Sequence, residues 1–419
     1  MKTKISILES IKLSIEKEVW SRPKVKGRAI ELCVAIFNLY VMSGGDFYMY
    51  RSLSSVYFRK IIKTNGYVKE IRENLINGQI LECRNSYNVD KGIAKGYRFH
   101  PDILTGSNTY HICCPDSPAQ LWNEVPIEMW MSKLKFDPAV YKWIDDYKVE
   151  KSDILIDEEI MDTHMDINFD LGDDYRYSKE TAIQLGKKTN KSLIKHKDKF
   201  YIEDPKDFCF RKQDEHKKIF YGYIFNIENG CYRISRNDTN NRLDYNLTNM
   251  KKELIDFIRY EGESLVELDI ANCQFAILSN IAKGIDPLFI KHAQSGTLYQ
   301  YIATALDITS KESKKLMFNV AFDKIRAEQD IIRDLFPMTM NWIDAYKKKN
   351  GYKSFSNLLQ KTESELMIDG LLKRLYKLGY CVFPIHDAIR VQQTQADIVK
   401  VAILKYFKER DFYCKIRKK

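Results

Sequence analysis

Apolar residues recur at helical spacing along Arg28–Met42 (RAIELCVAIFNLYVM), and Gly44-Gly45 stops the run, which predicts a helix there. Ser54 can cap a second helix over Ser55–Lys63, and Tyr67–Asn77 reads as a third, closed by Gly78. Short strands follow at Gln79–Cys83 and Tyr97–His100, separated by a polar loop, Asn85–Gly96. The second half carries four further segments. Leu265-Val266-x-Leu268 is a strand-type run that delivers Asp269 to its end, just before a helical stretch, Asn272–Ile281. Thr309 and Glu312 form a capping box that starts a helix over Thr309–Asp323. Ser354–Ile368 is helical, with Leu358, Leu359, Leu366 and Met367 as core candidates and Gln360, Thr362 and Glu363 as solvent-facing interruptions. In Cys381–Val391 (CVFPIHDAIRV) two apolar runs flank His386-Asp387, the pattern of a β-hairpin with the acid at its tip.

A length of 419 residues predicts two to three domains. With 44% apolar and 30% charged residues the chain is neither disordered nor fibrous. No apolar run reaches the length of a membrane span, and Met1–Trp20 lacks a signal-peptide core. The nine cysteines contain no CxxC pair, which argues against a disulfide scaffold or an ordinary zinc site and predicts a cytoplasmic setting. The formal net charge of +10 suits a polyanionic partner. Nine acids and no Lys or Arg fall between Asp153 and Asp174, which reads as a connecting segment. Six lysines between Lys187 and Lys199 read either as a solvated helix face or as a phosphate-tracking surface. Three helices followed by a hairpin resemble winged-helix order, and Arg59, Lys60 and Lys63 on the middle helix suit nucleic-acid contact. Lys415–Lys419 (KIRKK) reads as a frayed basic tail, with added phosphate contacts as the alternative.

Asp269 and Asp387 come from two distant strands. Paired carboxylates of this kind can chelate Mg²⁺ for phosphoryl displacement. On the Thr309 helix, Lys314, Phe318 and Phe322 share one face at i, i+4 and i+8, and Lys311 and Lys315 flank Lys314. A cationic first turn opposes the helix dipole, a cost that a polyphosphate ligand would offset.

From Tyr232 to Val391 these pieces, in this order, resemble the palm and fingers of family A (DNA polymerase I-like) polymerases. Leu268-Asp269-Ile270-Ala271-Asn272-Cys273-Gln274 is similar to motif A, D-Y-S-Q-I-E. Lys314 to Phe322 is similar to motif B, K-x-x-x-F-x-x-x-Y, and Ile385-His386-Asp387 to motif C, V-H-D-E. Leu359-Gln360-x-Thr362 resembles the L/M-Q-G-T helix. Tyr232-Arg233-Ile234-Ser235 and Asn246-Leu247-Thr248-Asn249 resemble R-L-S-S and N-L-Q-N. The chain departs from the family at Gln274 (Glu there), Phe322 (Tyr), Ala388 (Glu) and Ser310, where an Arg is usual.

The resemblance implies an α+β right-hand polymerase: a winged-helix-like domain at 1–130, an acidic connection and helical thumb-like region at 131–231, and a palm at 232–419 with fingers inserted at about 282–353. It implies catalysis by Asp269, Asp387 and Lys314, with two Mg²⁺ ions on the two acids and Mn²⁺ as a substitute. Gln274, Phe318, Phe322, Lys311 and Lys315 fall on nucleotide contacts. Arg233, Asn246, Asn249, Gln360, Thr362 and His386 fall on primer–template contacts. Partners are then a primer–template and dNTPs, with no membrane. The lack of an exonuclease and the short fingers suit a phage or mobile-element replication enzyme. The alternatives are a single-subunit phage-type RNA polymerase or primase, and a replication initiator with an inactive palm. Gln274 falls beneath the incoming sugar, where its bulk crowds a ribose 2′-OH; the phage-type RNA polymerases carry Gly there.

Overall fold

The computed structural model describes residues 5–42, 47, 50–84, 95–104, 108–113, 122–149, 155–156, 167–168, 176–177, 192–196, 199–203, 205–325 and 327–419. It is mixed α+β with antiparallel sheets. The chain divides into two compact units, residues 1–119 with 138–231, and residues 120–137 with 232–419.

In the first unit, strand β1 (Ile5–Leu8) leads into α1 (Glu9–Lys17) and α2 (Pro23–Met42). Helix α2 begins earlier than its apolar run because Pro23 supplies a first-turn φ at no hydrogen-bond cost. It buries Val25, Ala29, Leu32, Ile36 and Tyr40 along one stripe. Strand β2 (Arg51–Ser52) precedes α3 (Ser55–Ile62), where Ser54 caps the first turn by accepting from the Tyr57 N–H. Helix α4 (Asn65–Asn77), β3 (Leu81–Arg84), β4 (Gly96–Phe99) and β5 (Tyr110–Cys113) follow, and β5 pairs with β1. The expected hairpin is a three-stranded sheet, β2-β4-β3. Two-residue β2 carries no periodicity that a sequence pattern could reveal. Aromatic packing joins sheet to helices: Phe58 and Tyr97 lie 4.9 Å apart, and the Tyr40 hydroxyl donates to the Tyr97 carbonyl. Arg59, Lys60 and Lys63 are exposed.

Most of the expected loop Asn85–Gly96 and nearly all of the acidic stretch lie outside the described residues. Ser192–His196 within the lysine-rich stretch is a strand, paired antiparallel with Lys199–Glu203, and so not a helix face. The region expected to be helical through 231 contains these strands and then one long helix, Pro205–Glu228.

The second unit is built on a six-stranded antiparallel sheet. Strand β6 (Leu134–Phe136) joins it although residues 131–231 were expected in the connection and thumb-like region, because its backbone pairs in register with Ile258–Tyr260. A small hairpin, β7 (Ile234–Arg236) and β8 (Leu243–Tyr245), precedes the central strands β9 (Ile258–Tyr260) and β10 (Glu263–Ile270). Helices α5 (Cys273–Ile281), α6 (Pro287–Gln294), α7 (Leu298–Leu306), α8 (Ser310–Phe322), α9 (Pro337–Asn350) and α10 (Tyr352–Ser364) come next. The chain returns through β11 (Phe383–Ile385) and β12 (Ala388–Gln392), then α11 (Ala396–Lys408) and β13 (Ile416–Lys418). The sheet order is β11-β12-β10-β9-β6, with β13 also on β10. Leu268 and Ile270 point into the core, so Glu267 and Asp269 share the opposite face of β10.

Helix α10 does not run on as α through Ile368; Glu365–Leu372 is a π-helix. Gly370 lies within it, and a Cβ there would collide with the Tyr406 hydroxyl of α11. Tyr406 is buried and donates to the Leu366 carbonyl. Gly370→Ala is therefore predicted to cost roughly 1–3 kcal/mol by overpacking. Adding Tyr406→Phe, which removes the colliding oxygen, should recover part of that loss. Urea denaturation of the single and double variants measures both, and a Gly370→Ala protein as stable as the wild type would contradict the packing argument.

Candidate active site

Strand β10 pairs with β12 so that Leu268 faces Ile389 and Asp269 faces Ala388. That register places Asp387, one residue before Ala388, beside the end of β10. The Ile270 N–H donates to the Asp387 carbonyl at 3.2 Å, tying the hairpin tip to the strand end. The reversal between β11 and β12 is His386-Asp387, with His386 in the left-handed region at φ 55°. Removal from water pushes the Asp387 carboxyl up to about 6, and the neighbouring Asp269 charge adds to the rise. The protein packed around His386 and the positive charge of Arg242 lower the imidazole's affinity for a proton.

The expected frayed tail is instead strand β13, on the other edge of β10. The Lys419 N–H donates to the Glu267 carbonyl at 2.9 Å and the Glu267 N–H returns a bond at 3.2 Å. The Lys419 ammonium then sits 2.6 Å from Asp269 Oδ2 and 3.2 Å from Glu267 Oε1. Glu267 also receives Arg390, which is buried and bridges to Asp256.

Glu363, expected to face solvent, is only 2% exposed. Arg242 binds it with two parallel hydrogen bonds, Nε at 2.9 Å and an Nη at 3.0 Å. The Gln274 amide donates to the same carboxylate. Burial outweighs Arg242 and pushes the Glu363 carboxyl up to about 7. Arg242, Glu363, Ser364, Met367 and His386 line a small cleft with room for little more than a water molecule. Gln274 Oε1, Ser364 Oγ and both amide atoms of Asn272 are buried without a hydrogen-bond partner among the described residues. Native interiors leave few such groups, and these lie on the segments around Asp269 and Glu363. Arg242 and Glu363 are what the sequence reading missed. A lone acid on an apolar helix face, three residues after Gln360, was the available signal.

The other expected contacts are engaged within the protein. Gln360 accepts from Asn240, and Arg236 grips Asp369 with two bonds, so the β7–β8 hairpin is fastened to α10 and the π-helix. Arg233 pairs with Asp244 through its guanidinium, while its backbone N–H donates to Asn246. Asn249 also donates to Asp244. Thr362 is half-buried on α10.

Helix α8 forms with the expected capping box between Thr309 and Glu312. Lys311, Lys314 and Lys315 are exposed on its first turns. The rings of Phe318 and Phe322 stack at 5.4 Å, and the Lys314 ammonium lies 5.6 Å from the Phe318 ring centre. Buried Lys347 closes the other end of α8 by donating to the carbonyls of Val320 and Asp323. Helix α8 packs on α10, and α10 on α5, the helix that follows Asp269.

Among the described residues no group of three or more His, Cys, Asp and Glu is arranged to hold a metal ion. The candidate centre is the pair Asp269 and Asp387, both hard oxygen donors. Such a pair suits Mg²⁺, which keeps several waters and takes one or two carboxylates alongside substrate phosphates.

The Glu363 carboxyl yields a pH prediction. Its proton is held more tightly folded (about 7) than at the ordinary 4.5, so the folded chain loses relative stability as pH rises from about 4.5 to 7. Glu363→Gln removes that titration. The melting temperature of the wild type should fall relative to Glu363→Gln across pH 5 to 8, and parallel curves would contradict the assignment.

No protein-family model matches the chain, and no curated protein matches it in sequence.

Proposed function

We propose that this chain is a template-directed nucleotidyltransferase, a DNA polymerase that extends a primer with dNTPs. The observation that carries the reading is the convergence of Asp269 and Asp387, far apart in sequence: Asp269 pairs with Ala388, and Asp387 lies in the turn just before it. Bound Mg²⁺ would supply Lewis-acid activation of the primer 3′-OH and neutralisation of the leaving pyrophosphate. Asp269 and Asp387 are the residues that would hold it. The exposed cations Lys311, Lys314 and Lys315 on α8 bind the triphosphate, and the Phe318–Phe322 stack borders the sugar and base. His386 and the Arg233–Asp244–Asn249 network beside it hold the primer end. In the first unit, the order α2-β2-α3-α4-β3-β4 supports a winged-helix reading, with Arg59, Lys60 and Lys63 on duplex phosphates.

Asp269→Asn and Asp387→Asn are each predicted to reduce primer extension on a DNA template to below a few per cent. Duplex affinity should stay within a few-fold, because neither acid contacts the nucleic-acid backbone. Extension assays run beside fluorescence-anisotropy binding separate the two effects. Substantial synthesis by either variant would remove that acid from the catalytic pair.

Sugar choice is predicted to favour dNTPs over NTPs. Gln274 is held in place by Glu363 rather than free to turn aside, which preserves its bulk at the sugar position. Gln274→Gly should lower the dNTP preference by at least about tenfold. Single-nucleotide incorporation with matched dNTP and NTP reads the ratio directly. Equal use of both by the wild type would favour an RNA polymerase instead.

A further inference from the structure

Lys419 occupies an unusual place for a surface lysine. Its backbone is fixed by a reciprocal pair of hydrogen bonds to Glu267, so its side chain leaves β13 on the face of β10 that carries Glu267 and Asp269. Residues directly opposite and diagonally placed across an antiparallel pair lie within reach of a long side chain. The ammonium accordingly spans both carboxylates, at 2.6 Å from Asp269 and 3.2 Å from Glu267. It is thus the partner of Asp269, one of the two carboxylates that a divalent cation in this site would use. Neighbouring Lys418 is directed elsewhere, to Asp397 of α11, at 2.8 Å. The two adjacent lysines therefore differ in what they touch, and this pairing separates a local effect from one of overall charge.

We infer that Lys419 is a built-in counter-cation for Asp269, which a divalent metal displaces when it binds, so that Lys419 sets how tightly the centre takes metal. Resting on the reading of Asp269 and Asp387 as a metal pair, the inference adds a residue that controls access to it. In the metal-free protein the ammonium shields Asp269 from Asp387. On metal binding, the same ammonium would be a like charge a few ångströms from a dication. It must swing away, keeping Glu267 as its partner. Removing it should then strengthen metal binding, since binding no longer requires the Lys419–Asp269 ion pair to be broken.

The test uses the full chain and Mn²⁺ alone. Calorimetric titration should show Lys419→Met binding Mn²⁺ roughly tenfold or more tighter than the wild type, with Lys418→Met within twofold of it. In the wild type, acetylation of the Lys419 amine followed by mass spectrometry should rise on adding Mn²⁺, with Lys418 unchanged; this measurement does not depend on a variant folding. If Lys419→Met binds Mn²⁺ no tighter than the wild type, while Asp269→Asn abolishes binding, the counter-cation inference alone is overturned. Unchanged Lys419 labelling under saturating Mn²⁺ overturns it as well. If neither wild type nor Lys419→Met binds Mn²⁺, the metal-pair reading of the proposed function fails, and this inference with it.

Discussion

Everything at the candidate site depends on the register in which β10 pairs with β12. A slip of one residue would move Asp269 to the core face and bring Leu268 out, because side chains alternate along a strand. The register is fixed by apolar matching: Leu268 lies against Ile389 and Val266 against Val391, with Leu268, Ile389 and Val391 all buried. The charged residues Glu267 and Arg390 face each other on the alternate positions and form an ion pair at 2.7 Å. Hydrophobic burial selects the register, and the charged face inherits it. The two acids are brought together by forces that have nothing to do with their own interaction.

Their own interaction is unfavourable. Asp269 and Asp387 are like charges, partly removed from water, and Glu363 and Glu267 lie close by. The cations that offset this come from three separate segments: Arg242 after β7, Arg390 on β12, and Lys419 beyond β13. Arg242 grips the buried Glu363 with two bonds, and the buried Arg390 bridges Glu267 and Asp256, which is the condition for a buried charge to be tolerated. Asp387 forms no ion pair among the described residues, and its removal from water, with the Asp269 charge beside it, raises its proton affinity. An acid kept near others without its own counter-ion is a cost that packing alone does not explain, and it is the kind of departure from local consistency expected at functional sites.

Local signals carried much of this in the sequence. Ser54 and the Thr309–Glu312 box named two helix starts, and the CVFPIHDAIRV pattern gave a hairpin with Asp387 at its turn. These features are set within a few residues, where propensity and capping act. What was not legible depends on distant partners. Glu363 looks like a solvent-facing acid until Arg242, over a hundred residues earlier, is brought against it. Lys419 looks like a frayed tail until β10 offers it an edge to pair with. The π-helix at Glu365–Leu372 has the apolar spacing of an ordinary helix, and only the close approach of Tyr406 to Gly370 accounts for the small residue there.

The Arg242–Glu363–Gln274 chain links the two sides of the cleft in a way neither side could achieve alone. Gln274 stands in the first turn of α5, which starts from the end of β10, so its backbone is set by the six-stranded sheet. Glu363 stands on α10, and Arg242 leads into β8 of the small hairpin. Because Gln360 and Asp369 bind the same hairpin, it is held to the helix at three points along its length. A displacement of the hairpin must therefore either break the Arg242 fork or carry Glu363 and Gln274 with it. Breaking the fork would leave a buried, ionisable carboxyl without its cation, and partner loss of that kind costs several kcal/mol. Movement of the three elements together is the cheaper course, so whatever binds against the hairpin is mechanically coupled to Gln274, on the helix that follows Asp269.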